Sequence, residues 1–346
     1  MSLQNHIGDS EFPVRARSRY AKIVEADRRR TPRRQATRAL VTTAIGLTVG
    51  SIAFAVALET GIVDPFFGGV AGFVVALIVA SAVLSRWDAG AMRRAQTAYL
   101  AATGATPITQ EQQQILALDA AIDYSFGGWN SSLAFSFAWV ELPAAIRAKW
   151  ADGQKGTPWP ALPHTTLARL RTSLDDNYKI ASTTDVEVFV ADFLAEGRLS
   201  AGFAEVAASP DAEIMTSRVA TIAGVTVFDV LELSQPADGR EPELMLAGDV
   251  ERTIGGIRYA YMAGYLTADR AWELLAQVAA KAFDRYDDYD DYANALVLAT
   301  AFRSNSLEAV ENLRANLAGL RENGWPATSV PYPQRSRTSD EAGTAG

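Results

Sequence analysis

The sequence predicts an all-α, mainly helical protein: a two-helix transmembrane hairpin followed by a single helical cytoplasmic domain. Three observations carry that prediction. Two long apolar runs stand close together near the N-terminus, apolar residues recur at three and four residues over most of the remainder, and charge is divided unevenly between the two parts. Organisation follows as a basic arm over 1–38, the hairpin over 39–84, the helical domain over 87–333 and a disordered tail over 334–346.

The first apolar run, 39–58, holds twenty residues without a charge, and the run 65–84 matches it. As a helix each would be roughly 30 Å long, the thickness of a bilayer core. Only Glu59 to Asp64 lies between them, too little for a domain, so the two runs form a hairpin. Each run carries a small-xxx-small pair, Gly46/Gly50 and Gly68/Gly72, a spacing that lets two backbones approach closely or lets the hairpin form a homodimer. Neither run contains an ionisable residue, which favours a tether over a conduction path.

Flanking charge sets the orientation. Ten basic residues precede the first run, Arg86, Arg93 and Arg94 follow the second, and the connecting loop has none. By the positive-inside rule both termini are cytoplasmic. A secretory signal would have a shorter basic region, and the residues after Arg33-Arg34 lack the apolar pair of a twin-arginine export signal. Residues 1–38 carry net +6 and residues 87–346 net −13, within a chain of net −8. The arm is therefore expected to meet anionic lipid of the bilayer, at about 1 kcal/mol per basic residue near the surface. The acidic domain argues against nucleic acid, whose phosphates require a basic face. Cysteine is absent from the sequence, which removes disulfides and thiolate metal sites.

Along the chain, Phe12 to Arg30 suits a basic helix closed by Thr31-Pro32. Beyond the hairpin Trp87 marks the boundary, a polar helix runs to Ala102, and Pro107 opens a helix with Ile115, Leu116, Leu118 and Ile122 on one face. Asp119 and Asp123 lie four apart there, as a metal or acid–base pair would. Without a histidine or third ligand nearby, both are read as solvated surface. A helix is expected over 132–150, with Phe135, Phe137 and Trp139 as core, then a break over 153–163 and His164 as a loop or capping residue.

Further helices are expected over 165–178 and 185–196, the latter burying Val186, Phe189, Val190 and Phe193 and ending at Gly197. The stretch 225–230 has strand-like β-branching, yet 214–233 also supports a helix interrupted at Gly224, and helix is the expectation. Asp249 to Met262 forms a helix stopped by Gly264. Thr267 caps the next, 268–284, on which Trp272 and Leu275 share a face, and Tyr265 and Leu266 pack in the connection. The last helix predicted is 292–302, behind the acidic run Asp284, Asp287, Asp288, Asp290, Asp291.

The segment DVERTIGGIRYAYMAGYLTADRAWELL, with Asp249, Arg252, Gly264, Tyr265, Ala271 and Trp272, resembles the bacterial domain-of-unknown-function family 1266. Upstream, Tyr178, Ile180 and Gly197 match that family's earlier turn and helix, and Trp325, Pro326 and Pro331 match its closing segment. The resemblance covers about 107–333. It departs at Tyr286–Tyr292 and at Ala301-Phe-Arg, where family members tend to show tryptophans. It implies a mainly helical domain, structural roles for Gly264, Trp272 and Trp325, a bacterial inner-membrane setting for the anchor, and no established activity or cofactor.

No phosphate loop, nucleophile elbow or His-Glu-x-x-His is present in the sequence, so no metal or cofactor is assigned. Asp249 and Arg252 are three apart on one helix and can pair. Beside Arg258 and Tyr265 such a pair would line a polar crevice for an anion or a peptide terminus, or clamp its helix to its neighbours. The leading expectation is a protein–protein interaction module with a protein partner still to be found. Its alternative is a membrane-tethered, hydrolytic enzyme using carboxylates around Asp249 or Asp284–Asp291.

Overall fold

The computed structural model describes residues 32–89, 101–103, 108–121, 133–134, 139–149, 167–236, 241–322 and 330–333. Every regular element among them is helical. The chain divides into two units, one within residues 18–98 and one within 99–346. The expectations placed on residues 1–31 of the basic arm, Ile122, Asp123, Phe135, Phe137, the 153–163 break, His164, Trp325, Pro326 and the tail lie outside the described residues.

In the first unit α1 (Pro32–Thr60) and α2 (Pro65–Ala89) run antiparallel, each with proline at its first position, where no N–H is required. Asp64 opens α2 by accepting from the backbone N–H of Phe66 at 2.9 Å and of Phe67 at 3.3 Å. Their segments 35–60 and 65–87 are long and apolar enough to cross a membrane. The four glycines lie where the helices meet. A Cβ on Gly72 would stand 2.6 Å from that of Ala53, one on Gly68 2.9 Å from that of Ala57, and one on Gly46 2.8 Å from the Phe73 ring. Their small size thus serves close approach inside the hairpin. At the far end Arg38 donates across to Ser85 Oγ at 2.8 Å.

The second unit is assembled around α10 (Leu246–Ala263), fifteen of whose eighteen residues are buried, so it has no solvent face to speak of and is a core helix. Against it pack α5 (Leu167–Tyr178), α6 (Thr183–Ala195), α7 (Arg198–Ala207), α11 (Ala268–Arg285), α12 (Tyr289–Ser304) and a 3-10 turn at Trp139–Glu141. Glycine lets two of them come close. A Cβ at Gly248 would meet that of Ala299 at 2.6 Å, and one at Gly256 would meet the Phe189 ring at 2.7 Å. Around this shell lie α3 (Gln110–Ala117), α4 (Ala144–Lys149), α8 (Ala212–Ala223), α9 (Val227–Glu232) and α13 (Leu307–Glu322).

Most starts and stops follow from local chemistry. Ser182, Thr226, Thr267 and Asp288 cap α6, α9, α11 and α12 with a side-chain oxygen, while Gly224 (φ 64°) and Gly264 (φ 82°) end α8 and α10 in the left-handed region. Residues 214–233 are helical, as expected, with the interruption at Gly224, and the Ser209-Pro210 turn separates α7 from α8. The strand reading fails because Thr226 and Asp229 form a capping box that starts a helix. The single helix expected over 132–150 is corrected: the described residues there form a bend at 133–134, the 3-10 turn and α4, which begins behind Pro143.

Asp119 also departs from expectation. Placed on solvated surface by its spacing, it is fully buried and pairs with Arg258 of α10 at 2.8 Å. α3 ends at Ala117 in tighter bonds from Leu118 N–H to Ile115 and from Asp119 N–H to Leu116, and the guanidinium that receives the carboxylate is supplied by the distant α10. The Arg258 Nε donates to the Leu133 carbonyl at 2.9 Å, tying a third segment to the pair. Removing one partner of such a pair leaves a buried charge without its counter-ion. Arg258→Ala or Asp119→Ala should each lower stability by about 3–5 kcal/mol in denaturant unfolding, while the joint replacement Asp119→Leu with Arg258→Met should cost markedly less than either.

Candidate functional site

Where the end of α5, the length of α6, the start of α7 and the first turns of α10 meet, they enclose a cleft of about 280 Å³. Two of the residues singled out in the sequence, Asp249 and Arg252, line it. They do so in separate roles.

Asp249 reaches back to the N-terminus of α7. Its Oδ1 accepts from Leu199 N–H at 2.8 Å, and its Oδ2 accepts from Ser200 N–H at 2.9 Å and Ser200 Oγ at 2.7 Å. These are N–H groups that a helix cannot satisfy internally, and the residue before α7, Gly197, has no side chain to cap them. Gly197 must be glycine for the same reason: a Cβ there would collide with the Asp249 carboxylate. α6 itself ends at Ala195, with Glu196 already extended, so Gly197 makes room for a carboxylate and does not stop α6 as the sequence suggested.

Arg252 turns the other way. Its Nη2 donates to the Asn177 carbonyl at 2.5 Å, and its guanidinium lies over the Tyr178 ring, 4.6 Å from the centroid. That binds the C-terminus of α5, where carbonyls lack partners and the helix dipole favours a cation. Asp249 and Arg252 therefore do not pair with each other. Spacing permits the pair, but two helix ends with unsatisfied backbone groups compete for the same side chains and win.

The expected crevice of four residues is likewise corrected. Arg258 is fully buried against Asp119, and Tyr265 sits past the end of α10, its carbonyl accepting from Thr183 Oγ1 at 2.5 Å and its ring facing the Arg171 guanidinium at 5.4 Å. Neither lines the cleft. Gly264 ends α10 with a left-handed φ, and Trp272 packs half-buried on the core. The acidic run is occupied as well. Asp288 accepts from the N–H groups of Asp290 and Asp291 at 2.8 Å, Asp291 accepts from Asp287 N–H at 3.0 Å, and Asp290 pairs with Arg321 at 2.8 Å. Among the described residues no three metal-ligating side chains converge.

The cleft adds residues that sequence reasoning misses. Asp185 and Asp192 of α6 and the residue that closes it, Glu196, line one side, and Lys179 and Arg198 join Arg252 from the elements around it. The signal that could find the acidic wall is the spacing 185, 188, 189, 192, 193, 196, one helical face bearing acids among Val188, Phe189 and Phe193. Asp185 is engaged at the helix start, and hydrogen bonds from Ala181 N–H and Ser182 Oγ hold its carboxyl below the usual range.

Glu141 of the 3-10 turn accepts from the Tyr261 hydroxyl of α10, and burial pushes its carboxyl up to about 7 although that hydrogen bond pulls it down.

These features define a class: a helical domain organised on one buried helix, preceded by a hairpin of membrane-crossing length. Residues 173–320 match the model of the family described as Protein of unknown function (DUF1266). No curated protein and no solved structure matches the chain.

Two measurements check these assignments. Asp249→Ala should cost about 2–4 kcal/mol, as expected for removing charge-assisted bonds from a helix start, Arg252→Ala about 1 kcal/mol, and the double variant about their sum; strong coupling between the two would restore the direct pair. For Glu141, a folded-state pKa above the unfolded value means stability that is full below about 4.5 and lost as pH rises through about 7. A melting curve series from pH 4.5 to 7.5 should show that decline in the native chain and a smaller one in Glu141→Gln.

Proposed function

We propose that this chain is a membrane-anchored interaction module. The hairpin holds it in the bacterial inner membrane with both termini in the cytoplasm, the basic arm over 1–38 rests on anionic lipid, and the acidic helical domain meets a protein partner. The observation that carries the anchor is the pair of packed helices whose outward faces are predominantly apolar, with Leu40, Phe54, Leu58, Phe66 and Ile78 all exposed. In water that surface would be an aggregation hazard, and in lipid it is the required one.

Support for protein contact comes from α9. Of its six residues only Val230 is buried, while Val227, Phe228 and Leu231 are exposed beside Asp229 and Glu232. Apolar anchors set among acids suit a partner segment that is amphipathic and basic.

Reporter fusions at residues 62 and 334 should report opposite sides of the membrane, with 334 cytoplasmic; an exported 334 fusion overturns the orientation. Detergent-solubilised chain should co-purify a defined protein reproducibly, and Phe228→Ser with Leu231→Ser should release it while leaving thermal unfolding unchanged. Retention by that double variant would sink the role given to α9.

A further inference from the structure

The cleft at α5, α6, α7 and α10 has two oppositely charged walls. α6 contributes Asp192 and Glu196, and the facing elements contribute Lys179, Arg198 and Arg252. Among the described residues no ion pair spans it: the side chains of Lys179, Arg198, Asp192 and Glu196 have no hydrogen-bond or salt-bridge partner, and Arg252 uses only Nη2, toward Asn177. Charges that line one cavity and stay apart leave both signs available to something between them.

Position is fixed from behind. Tyr178 is wedged between Arg252 and Phe189, the two rings meeting edge-on at 5.8 Å, so the guanidinium rests on an aromatic support and presents its remaining donors in a set plane. Asp249 also borders the cavity, but its oxygens are taken by α7 and it serves as scaffold. Val188 and Phe189 supply an apolar strip along the α6 wall. At about 280 Å³ the space falls at the lower limit of ligand pockets, which run upward from about 300 Å³.

We infer that this cleft binds a small zwitterion of amino-acid or dipeptide size, its carboxylate on Arg252 and its ammonium group on Asp192 and Glu196. A simple anion would meet the acidic wall unpaired, and a simple cation the basic one; a molecule with both charges satisfies both. Arg252 is the residue suited to the carboxylate, since a planar guanidinium offers parallel donors that an ammonium does not. Such binding goes beyond the interaction module proposed above and stands whether or not a protein partner exists.

Calorimetric titration of the full chain in lipid nanodiscs with the dipeptide Ala-Leu tests it. The free dipeptide should bind, and its N-acetylated and C-amidated forms should each bind about ten- to a hundredfold more weakly, the range for removing one charge-assisted hydrogen bond. Arg252→Gln should lower affinity by a similar factor. Because that change also loosens α5, the exposed rim variant Glu196→Gln is run beside it and is expected to weaken the free dipeptide but not the acetylated one. Equal binding of capped and free forms, full affinity in both Arg252→Gln and Glu196→Gln, or no binding by the folded native chain overturns the assignment.

Discussion

A helix buried on nearly every side cannot leave its polar groups to water, and that requirement organises the helical domain. α10 carries Asp249, Glu251, Arg252, Arg258 and Tyr261, and each is answered by a different neighbour. Asp249 takes the N-terminus of α7, Glu251 pairs with Arg303 of α12 at 3.0 Å, Arg252 closes α5, Arg258 holds Asp119, and Tyr261 meets Glu141. Even its last turn is secured, since Arg171 of α5 donates to the Ala263 carbonyl at 3.0 Å. Apolar packing alone would tolerate sliding between helices; a set of directional bonds at successive turns selects one arrangement.

The hairpin solves the opposite problem. In the bilayer proposed for it no hydrophobic drive would bring the helices together, so association would depend on how closely backbones approach. Gly46, Gly50, Gly68 and Gly72 provide that closeness, and bulky residues such as Phe54 and Phe66 are left to the outside. Small residues inside and large ones outside is the reverse of the helical domain, where Leu116, Ile180 and Phe203 are enclosed.

What the sequence makes legible is what depends on local spacing. Apolar periods, caps at Ser182 and Thr267, and the glycines at 224 and 264 locate helices to within a few residues, because each acts within its own turn of chain. Asp119 escapes such reasoning because its environment is created by Arg258, 139 residues later. The supposed Asp249–Arg252 pair fails for the same reason: three-residue proximity is visible in a sequence, whereas two helix ends arriving from elsewhere are not. Of the cleft, the acidic face of α6 is legible in principle, but the facing cations come from three separate elements and only the fold brings them together.

Asp249 also bears on the order in which the chain acquires structure. α7 leaves the ribosome about fifty residues before the carboxylate that completes its first turn, as the bonds from Leu199 and Ser200 to Asp249 show. Until that side chain is synthesised and docked, the N–H groups of α7 have only solvent to bond. A helix of ten residues is marginal by itself, so α7 is expected to consolidate together with α10 and not before it. The middle of this domain is thereby made to wait for its later half, which makes its stability a collective property of α5 through α10.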